Sequence, residues 1–426
     1  MNEYATYQYL SKPARRLAFE TTDDHVVSHY EYIWAAEKKE DINEKRQYII
    51  EKSKVINEDT STQTIEKNVY TLEIHNIRLN VYPDSVYVMI FELANYDHTD
   101  LAAIQAINEF GRRINAPYVK KENGTFADSD LNANKITIQL KEKSFCEGFI
   151  SQLKDDELNL HYIMRPVYQL LGLDGKHAKS IIPAVDDRMF VCCHVANNLL
   201  IEEAKQWQGD TYRYLTDYEV SKKLYALFFI DETSSSCQSR NGIVSFLEQA
   251  VYDRWVDWGT LYGVTHHSMV ALTTTNSPDH LVANFLTRYV EMAIIAVAQR
   301  ATILKLSLEA SELATSSPVE EKIDHDEINK LHKRYILAQN RVILSEVTNQ
   351  EQGVEMFDLL RESLYIEKSD AELKDQIINL NAVATAQAEA ERIKSDKKQN
   401  NFMAVLTVAG VGIAIAQFIQ AILASQ

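Results

Sequence analysis

The sequence predicts a mixed α/β domain that is followed by long helices and by one transmembrane helix near the C-terminal end. Three observations support this fold class: apolar residues alternate along several early segments, helical spacing replaces the alternation after Pro278, and no charged residue occurs from Gln399 to Gln426. We therefore divide the chain into an N-terminal helical arm over 1–66, a cytosolic α/β domain over 67–278, a stalk of long helices over 279–398 and a transmembrane helix over 399–426.

Alternating apolar residues predict the strands. Apolar positions from Tyr70 to Val81 and the run Val86–Leu93 form a predicted hairpin, because the turn residues Pro83-Asp84-Ser85 separate them. Residues Asn134–Leu140 alternate in the same way, with Ile136, Ile138 and Leu140 on one face. Further strand-like runs are Arg188–Val195, Leu224–Ile230 and Ser268–Thr273.

Apolar residues at three- and four-residue spacing predict the helices. Thr99 can cap a helix that runs through Arg113, and Ile243–Trp258 forms another. The N-terminal arm has helix-like stretches at Arg15–Ala36 and Ile42–Val55. The long helices of the stalk are predicted at Leu281–Ala314, Pro318–Val347 and Ala371–Lys398.

Composition and charge exclude several classes of protein. With 426 residues, 46% of them hydrophobic, and only 12 Gly and 7 Pro, the soluble part is expected to fold compactly rather than remain disordered. The net charge of −17 argues against binding of bulk duplex nucleic acid, so an anionic ligand would need a local basic pocket. The four cysteines have no regular spacing and no signal peptide precedes them, which indicates a reducing compartment.

The uncharged segment is long enough to cross a membrane. Phe402–Leu423 gives roughly 33 Å of helix, against a hydrocarbon core of about 30 Å. We favour a membrane helix over a buried core helix. The residues just before it are mainly basic, so the protein is expected to be a single-pass protein of the inner (cell) membrane with its N-terminal domain in the cytoplasm. These residues are Arg392, Lys394, Lys397 and Lys398, opposed by Asp396.

One narrow face of this helix carries small and polar residues. Side chains of this kind favour contact with other helices or water over contact with lipid. A ring of identical chains, a homo-oligomer such as a tetramer or pentamer, would turn that face toward a central pore. The alternative is a tail anchor that dimerises through the small residues Gly410 and Ala414 or Gly412 and Ala416. The predicted pore-lining residues are Thr407, Gly410, Ala414, Gln417 and Ala421.

The densest basic cluster of this acidic chain is a candidate ligand-binding site. Arg112 and Arg113 end a predicted helix, Lys120 follows, and Arg165 could join from elsewhere in the fold. Arginine binds phosphate oxygens through two parallel hydrogen bonds, which fits a nucleotide or oligonucleotide ligand. The alternative is that these residues only complement the dipole at the end of the helix.

Two other segments have a plain structural interpretation. Cys192 and His194, with His266 or His267, could converge on a zinc ion, but without regular ligand spacing we favour a strand with a buried cysteine and expect no metal. The aromatic segment Tyr252–Gly263 fits buried packing, with Arg254 near Asp257, better than it fits base stacking. No phosphate-binding loop or hydrolase, protease or kinase motif occurs, so neither enzyme activity nor a cofactor is expected.

The order of a cytosolic α/β domain, long helices and a membrane helix resembles the CorA magnesium-channel family, mainly over residues 280–426. That family has two membrane helices joined by a Gly-Met-Asn motif, whereas this chain has one such segment and no such motif, so magnesium selectivity is not implied. The resemblance implies a funnel-shaped homo-oligomer with a central pore. The layout also looks like the membrane effectors of bacterial anti-phage defence, which respond to nucleotide-type ligands.

These observations lead to one principal hypothesis and two alternatives. The principal hypothesis is a homo-oligomeric ion channel that is gated through its cytosolic domain, with a role in antiviral defence controlled by a nucleotide or oligonucleotide. The first alternative is a non-conducting, tail-anchored scaffold protein. The second alternative is a zinc-dependent hydrolase near Cys192 and His266.

Overall fold

The computed structural model describes most of the chain and divides it into two compact units. One unit, here called the sheet unit, contains residues up to Lys305 and Leu337–Ser369, and the other, the helical unit, contains Leu306–Ile336 and the residues from Asp370. The described residues are 10, 28–31, 46–55, 65–113, 119–120, 126–127, 133–141, 143–149, 165–173, 181–186, 188–205, 217–231, 236–315 and 325–424.

The first sheet of the sheet unit is antiparallel, in the order β1, β3, β2, β7, β8, with β4 also paired to β3. Its strands are β1 (Ser28–Glu31), β2 (Arg46–Val55), β3 (Ile65–Tyr82), β4 (Val86–Ala94), β7 (Lys135–Leu140) and β8 (Lys143–Gly148). A separate two-stranded ladder joins β5 (Val119–Lys120) and β6 (Phe126–Ala127).

The predicted hairpin and the predicted alternating strand are confirmed. A short turn at Pro83–Ser85 joins β3 to β4. On β7 the apolar residues Ile136, Ile138 and Leu140 are all fully buried, since side chains two apart share one face of a strand. Helix α1 (Leu101–Gly111) covers this face, where the Tyr48 hydroxyl donates to the carbonyl oxygen of Gly111 at 2.7 Å.

The second sheet has the order β10, β11, β12, β9, and β9 is parallel to β12. The four strands are β9 (Val191–Ala196), β10 (Val251–Tyr252), β11 (Thr260–Val264) and β12 (Ser268–Thr273). Every residue of β11 and β12 is buried, so these are central strands of the core. The surrounding helices are α2 (Arg165–Leu170), α3 (Asn198–Lys205), α4 (Tyr218–Phe228) and α5 (Arg240–Ala250).

A long apolar helix begins directly after this sheet. It comprises α6 (Asp279–Asn284), a wider turn at Phe285–Tyr289 and α7 (Val290–Thr315). Among the residues whose side chains the structure describes, Asp279–Ala314 is long and apolar enough to cross a membrane, and half of its apolar window is buried within the protein. Because Met292, Ile295 and Ile303 are fully buried, we assign the part within the sheet unit as a core helix.

The remaining elements are helical, in agreement with the predicted long-helix region. They are α8 (His325–Arg341), α9 (Glu351–Ser363) and α10 (Ile366–Ala424). The 59 residues of α10 span about 88 Å. In the helical unit, α10 buries Leu373, Ile377 and Ala384, and α8 buries Ile328 and Leu331.

Several sequence predictions are wrong. Within the helix predicted at Ile42–Val55, Arg46–Val55 is strand β2, and within the predicted helix Arg15–Ala36, Ser28–Glu31 is strand β1. Both segments belong to the first sheet. Leu224–Ile230 is not a strand, because most of it lies in helix α4. The boundary between the two units falls within α7, and α9 lies in the sheet unit.

Candidate functional site

Two regions are candidates for function, and the first is a buried basic cluster in the sheet unit. Arg112 and Arg113 follow helix α1 directly and are only 4% and 2% exposed. Arg112 Nη2 lies 2.7 Å from Glu109 Oε2, and Arg113 Nη2 lies 3.3 Å from Glu109 Oε1. The Glu109 carboxylate therefore pairs with both guanidinium groups, which follow it by three and four residues in the sequence.

Backbone hydrogen bonds bring a second segment against the arginines. The Met189 N–H donates to the carbonyl oxygen of Arg112 at 2.7 Å, and Arg113 forms an antiparallel bridge with Arg188. A third segment joins because the Val191 N–H donates to the carbonyl oxygen of His267 at 3.0 Å. The result is a cluster formed by Arg112, Arg113, Arg188, His267, Glu109 and Asp186, which we call the arginine cluster.

The rim of the arginine cluster is reachable from solvent. Asp186 Oδ2 lies 3.1 Å from Arg188 Nε and 3.5 Å from His267 Nδ1. The side chains of Arg188, His267 and Asp186 are 26%, 30% and 25% exposed. The cluster thus extends from a buried guanidinium at Arg112 to a partly exposed rim.

The protonation of the cluster reflects burial and crowding of positive charge. Burial, together with the positive charges of Arg112, Arg188 and His266, lowers the pKa of His267 to about 4 against the opposing effect of Asp186. Burial also lowers the pKa of Arg112 against the opposing effect of Glu109, although arginine remains charged in proteins. At neutral pH, His267 is therefore uncharged and three guanidinium groups face two carboxylates.

Arg112 carries buried donors without acceptors. Its Nη2 donates to Glu109 and, weakly at 3.4 Å, to the carbonyl oxygen of Ile230. Among the residues that the structure describes, its Nε and Nη1 have no hydrogen-bond partner. Such orphaned donors on a charged group cost free energy unless something accepts from them.

The structure brings together only part of the ligand site predicted from the sequence. Arg112 and Arg113 are adjacent, as expected from their position in the chain. Arg165 lies elsewhere: its N–H donates to Glu147 Oε2 at 2.8 Å, and its side chain is half exposed. Lys120 lies on β5, and its side chain is outside the described part of the structure.

Sequence reasoning missed Arg188 and Asp186, and it considered His267 only as a zinc ligand. Arg188 and His267 each lie just before a strand, β9 and β12 respectively, and these strands run parallel with Val191 opposite Ser268. Residues that precede adjacent parallel strands meet at one edge of the sheet. The dipeptide His266-His267 directly before a buried strand is therefore the signal that could have suggested the site.

The second candidate region is the exposed end of helix α10. From Phe402 to Ile413 every side chain is exposed, including the large apolar residues Phe402, Val405, Val408 and Ile413. Thr407, Gly410 and Gln417 of the predicted face are exposed as well, whereas the side chains of Ala414 and Ala421 lie outside the description. An apolar helix surface of this length that no described residue covers is typical of a site of contact with a membrane or with another protein.

Thr407, on the predicted pore-lining face, already has a hydrogen-bond partner within helix α10. Its hydroxyl donates to the carbonyl oxygen of Met403 within the same helix, at 2.8 Å. A threonine that is satisfied in this way can face lipid without losing a hydrogen bond. The need for a polar partner therefore depends mainly on Gln417.

The other segments considered as sites have structural partners. His194 Nε2 lies 2.9 Å from the Thr273 hydroxyl, and no group of three or more His, Cys, Asp and Glu side chains in the described part of the chain could hold a metal ion. Arg254 pairs with Glu355 at 2.6 Å and with Glu351 at 3.3 Å.

No family model matches the sequence, no curated protein matches it, and no solved structure matches the fold.

Proposed function

We propose that the protein is a homo-oligomeric ion channel of the cell membrane, whose sheet unit binds a ligand that controls the pore. The observation that carries the proposal is the continuity of helix α10. One end of this helix is packed through Leu373 and Ile377, and the other presents a long uncharged surface that no described residue covers.

A membrane explains that exposed surface better than water does. Large apolar side chains at 402, 405, 408, 411 and 413 are each more than half exposed, and burying them in lipid would recover roughly 1.5–3 kcal/mol for each. The exposed basic residues Arg392, Lys394 and Lys397 precede the apolar stretch, which suits the cytoplasmic membrane surface.

Oligomerisation follows from the residues that lipid does not suit. Gln417 is exposed and carries an amide that would lack hydrogen-bond partners in hydrocarbon. At Gly410 and Gly412 an added Cβ would meet nothing within 4 Å, so these positions leave room for a neighbouring helix. A ring of four or five chains would place Gln417 around a water-filled axis.

Recording from planar bilayers that contain the purified full-length protein tests the proposal. We expect ion conductance, which Gln417→Leu alters and Val408→Leu, on the opposite face, leaves unchanged. Absence of conductance from intact oligomers, both with and without anionic ligands, would refute the channel.

The alternative proposal is a non-conducting membrane anchor that gathers partners. The same exposed apolar surface supports it, because anchoring alone requires no pore. A monomeric or dimeric mass in detergent, together with retention of the protein in the membrane fraction, would favour the anchor.

A further inference from the structure

The arginine cluster contains more donors than the protein itself satisfies. Arg112 is only 4% exposed, yet its Nε and Nη1 donate to no acceptor among the described residues. A guanidinium is fully hydrogen-bonded in water, so each orphaned N–H opposes folding. Folded proteins retain such groups where a ligand or an ordered water supplies the acceptor.

The arrangement of charges selects an anion. In the described part of the chain, three guanidinium groups lie near the two carboxylates of Glu109 and Asp186, so these described side chains together carry one positive charge in excess. His267, at 3.5 Å from Asp186, adds a second positive charge if it takes up a proton. A tetrahedral dianion would balance both charges and offer several acceptor oxygens at once.

The rim also provides a path of entry. Arg188 and His267 are partly exposed, whereas Arg112, directly after helix α1, is buried. An anion that enters past Arg188 could accept from the free edge of Arg112. It would need to loosen the contact between Asp186 and Arg188, which is 3.1 Å long and partly exposed to solvent.

We infer that the arginine cluster binds a phosphate group through Arg112, Arg188 and His267. The inference rests on the proposed function in that it names the class of ligand that controls the channel, and the site itself can be tested without conduction. Arg113 remains paired with Glu109 and holds that carboxylate in place. Arg165 lies against Glu147 instead, and the inference does not use Lys120, whose side chain is outside the described part of the structure.

The test is calorimetric titration of the full-length protein in detergent with inorganic phosphate, with adenosine monophosphate and with adenosine. We expect both phosphates to bind and adenosine to fail, since adenosine lacks the anion. If adenosine monophosphate binds much more tightly than inorganic phosphate, the source is a nucleotide; equal affinities indicate a site for the phosphate group alone. Failure of both phosphates would overturn the inference.

Variants separate the site from nonspecific binding to a positive surface. We expect Arg112→Met and Arg188→Met each to lower phosphate affinity at least about tenfold, as loss of a charge-assisted bond predicts. The matched control is Arg334→Met in the helical unit, where the arginine also pairs with a glutamate, Glu309. Equal losses in all three variants would contradict a specific site. If Arg112→Met fails to fold, Arg188→Met at the rim still decides the question.

A second measurement isolates His267. Sulfate is a tetrahedral dianion over the whole range from pH 8 to pH 6, so its own charge does not change during the experiment. The groups facing His267 are Arg112, Arg188, His266 and Asp186. Sulfate affinity should rise several-fold as the pH falls, and His267→Gln should abolish this rise. An unchanged pH dependence in His267→Gln would remove this residue from the site.

The phosphate titration and the conductance recording test the binding site and the channel separately. Phosphate binding without conductance would reject the channel and retain the site. Conductance without phosphate binding would reject the site and retain the channel.

Discussion

Arg78 Nη2 lies 2.5 Å from Glu291 Oε1, and this ion pair joins strand β3 to the start of helix α7 inside the sheet unit. The two side chains are only 14% and 12% exposed. Burial of a charge pair has a desolvation cost that can equal the attraction between the charges, so the pair contributes less than its distance suggests. Removing one partner is different, because the other charge then remains buried alone.

Glu291→Leu should therefore destabilise the protein strongly. We expect a loss of about 3–5 kcal/mol in the free energy of unfolding, because Arg78 is left without its carboxylate. The double variant Arg78→Met/Glu291→Leu should recover most of that loss. Urea unfolding followed by tryptophan fluorescence measures both.

The exposed ion pair of Lys223 and Glu203 provides the control. Its nitrogen–oxygen distance is 2.9 Å, but the lysine side chain is 45% exposed. Lys223→Met should cost at most about 1 kcal/mol. A cost for Glu291→Leu no larger than this, or a double variant as unstable as the single one, would contradict the buried-pair interpretation.

Gly263 on strand β11 should not tolerate a methyl group. A Cβ at this position would overlap the ring of Phe228, which is fully buried at the end of helix α4. We expect Gly263→Ala to destabilise the protein by at least about 1–3 kcal/mol, measured as a shift of the unfolding midpoint. Gly148→Ala on β8 is the matched control, because the nearest atom to its Cβ would be the carbonyl oxygen of Asn134 at 3.9 Å. Similar shifts in the two variants would show that Phe228 moves aside without cost.

Much of the first sheet could be predicted because its strands have one buried face. In β7 the alternation of Ile136, Ile138 and Leu140 with polar residues specifies both the strand and its orientation. Leu224–Ile230 misled the prediction because a continuous apolar run does not distinguish a buried strand from a buried helix. The helix is favoured there because Asp217 accepts from the N–H groups of Glu219 and Val220.

The candidate site was only half predictable for a related reason. Arg112 and Arg113 are neighbours in the chain, so a basic cluster was evident from the sequence. Arg188 and His267 reach them only because β9 and β12 pair in parallel, and no local pattern specifies a parallel pairing between distant segments. A site formed by such pairing requires the fold.

His267 should make the folded protein sensitive to acid. Its pKa in the folded state is lowered to about 4, below the value of about 6.5 for an unperturbed histidine. Between these values the unfolded chain binds a proton that the folded chain does not, so stability should fall as the pH drops from about 6.5 to 4. The unfolding free energy of His267→Gln should depend less steeply on pH over this interval. The reduction in slope should be at most that produced by the uptake of one proton.

The comparison for this experiment is His325→Gln, which removes an exposed histidine at the start of helix α8. Saturating sulfate supplies a second comparison. A bound dianion should favour the protonated imidazole of His267. The native protein should therefore lose less stability on acidification when sulfate is bound. Equal slopes in the native protein and His267→Gln would show that this histidine does not contribute to acid sensitivity.

Gly410 should report on contacts between chains rather than on folding of one chain. An added Cβ would meet nothing within 4 Å at this position, so a larger side chain is tolerated by an isolated helix. In a ring of helices the same side chain would hold neighbouring backbones apart, because close approach depends on small residues. Gly410→Leu should therefore lower the oligomeric mass in detergent, measured by light scattering, while leaving the unfolding midpoint of the sheet unit unchanged. Val408→Leu enlarges a side chain on the opposite, lipid-facing side and should preserve the oligomer. If both variants retain the native mass, the small-residue face does not form the interface, and the pore lined by Gln417 loses its structural basis.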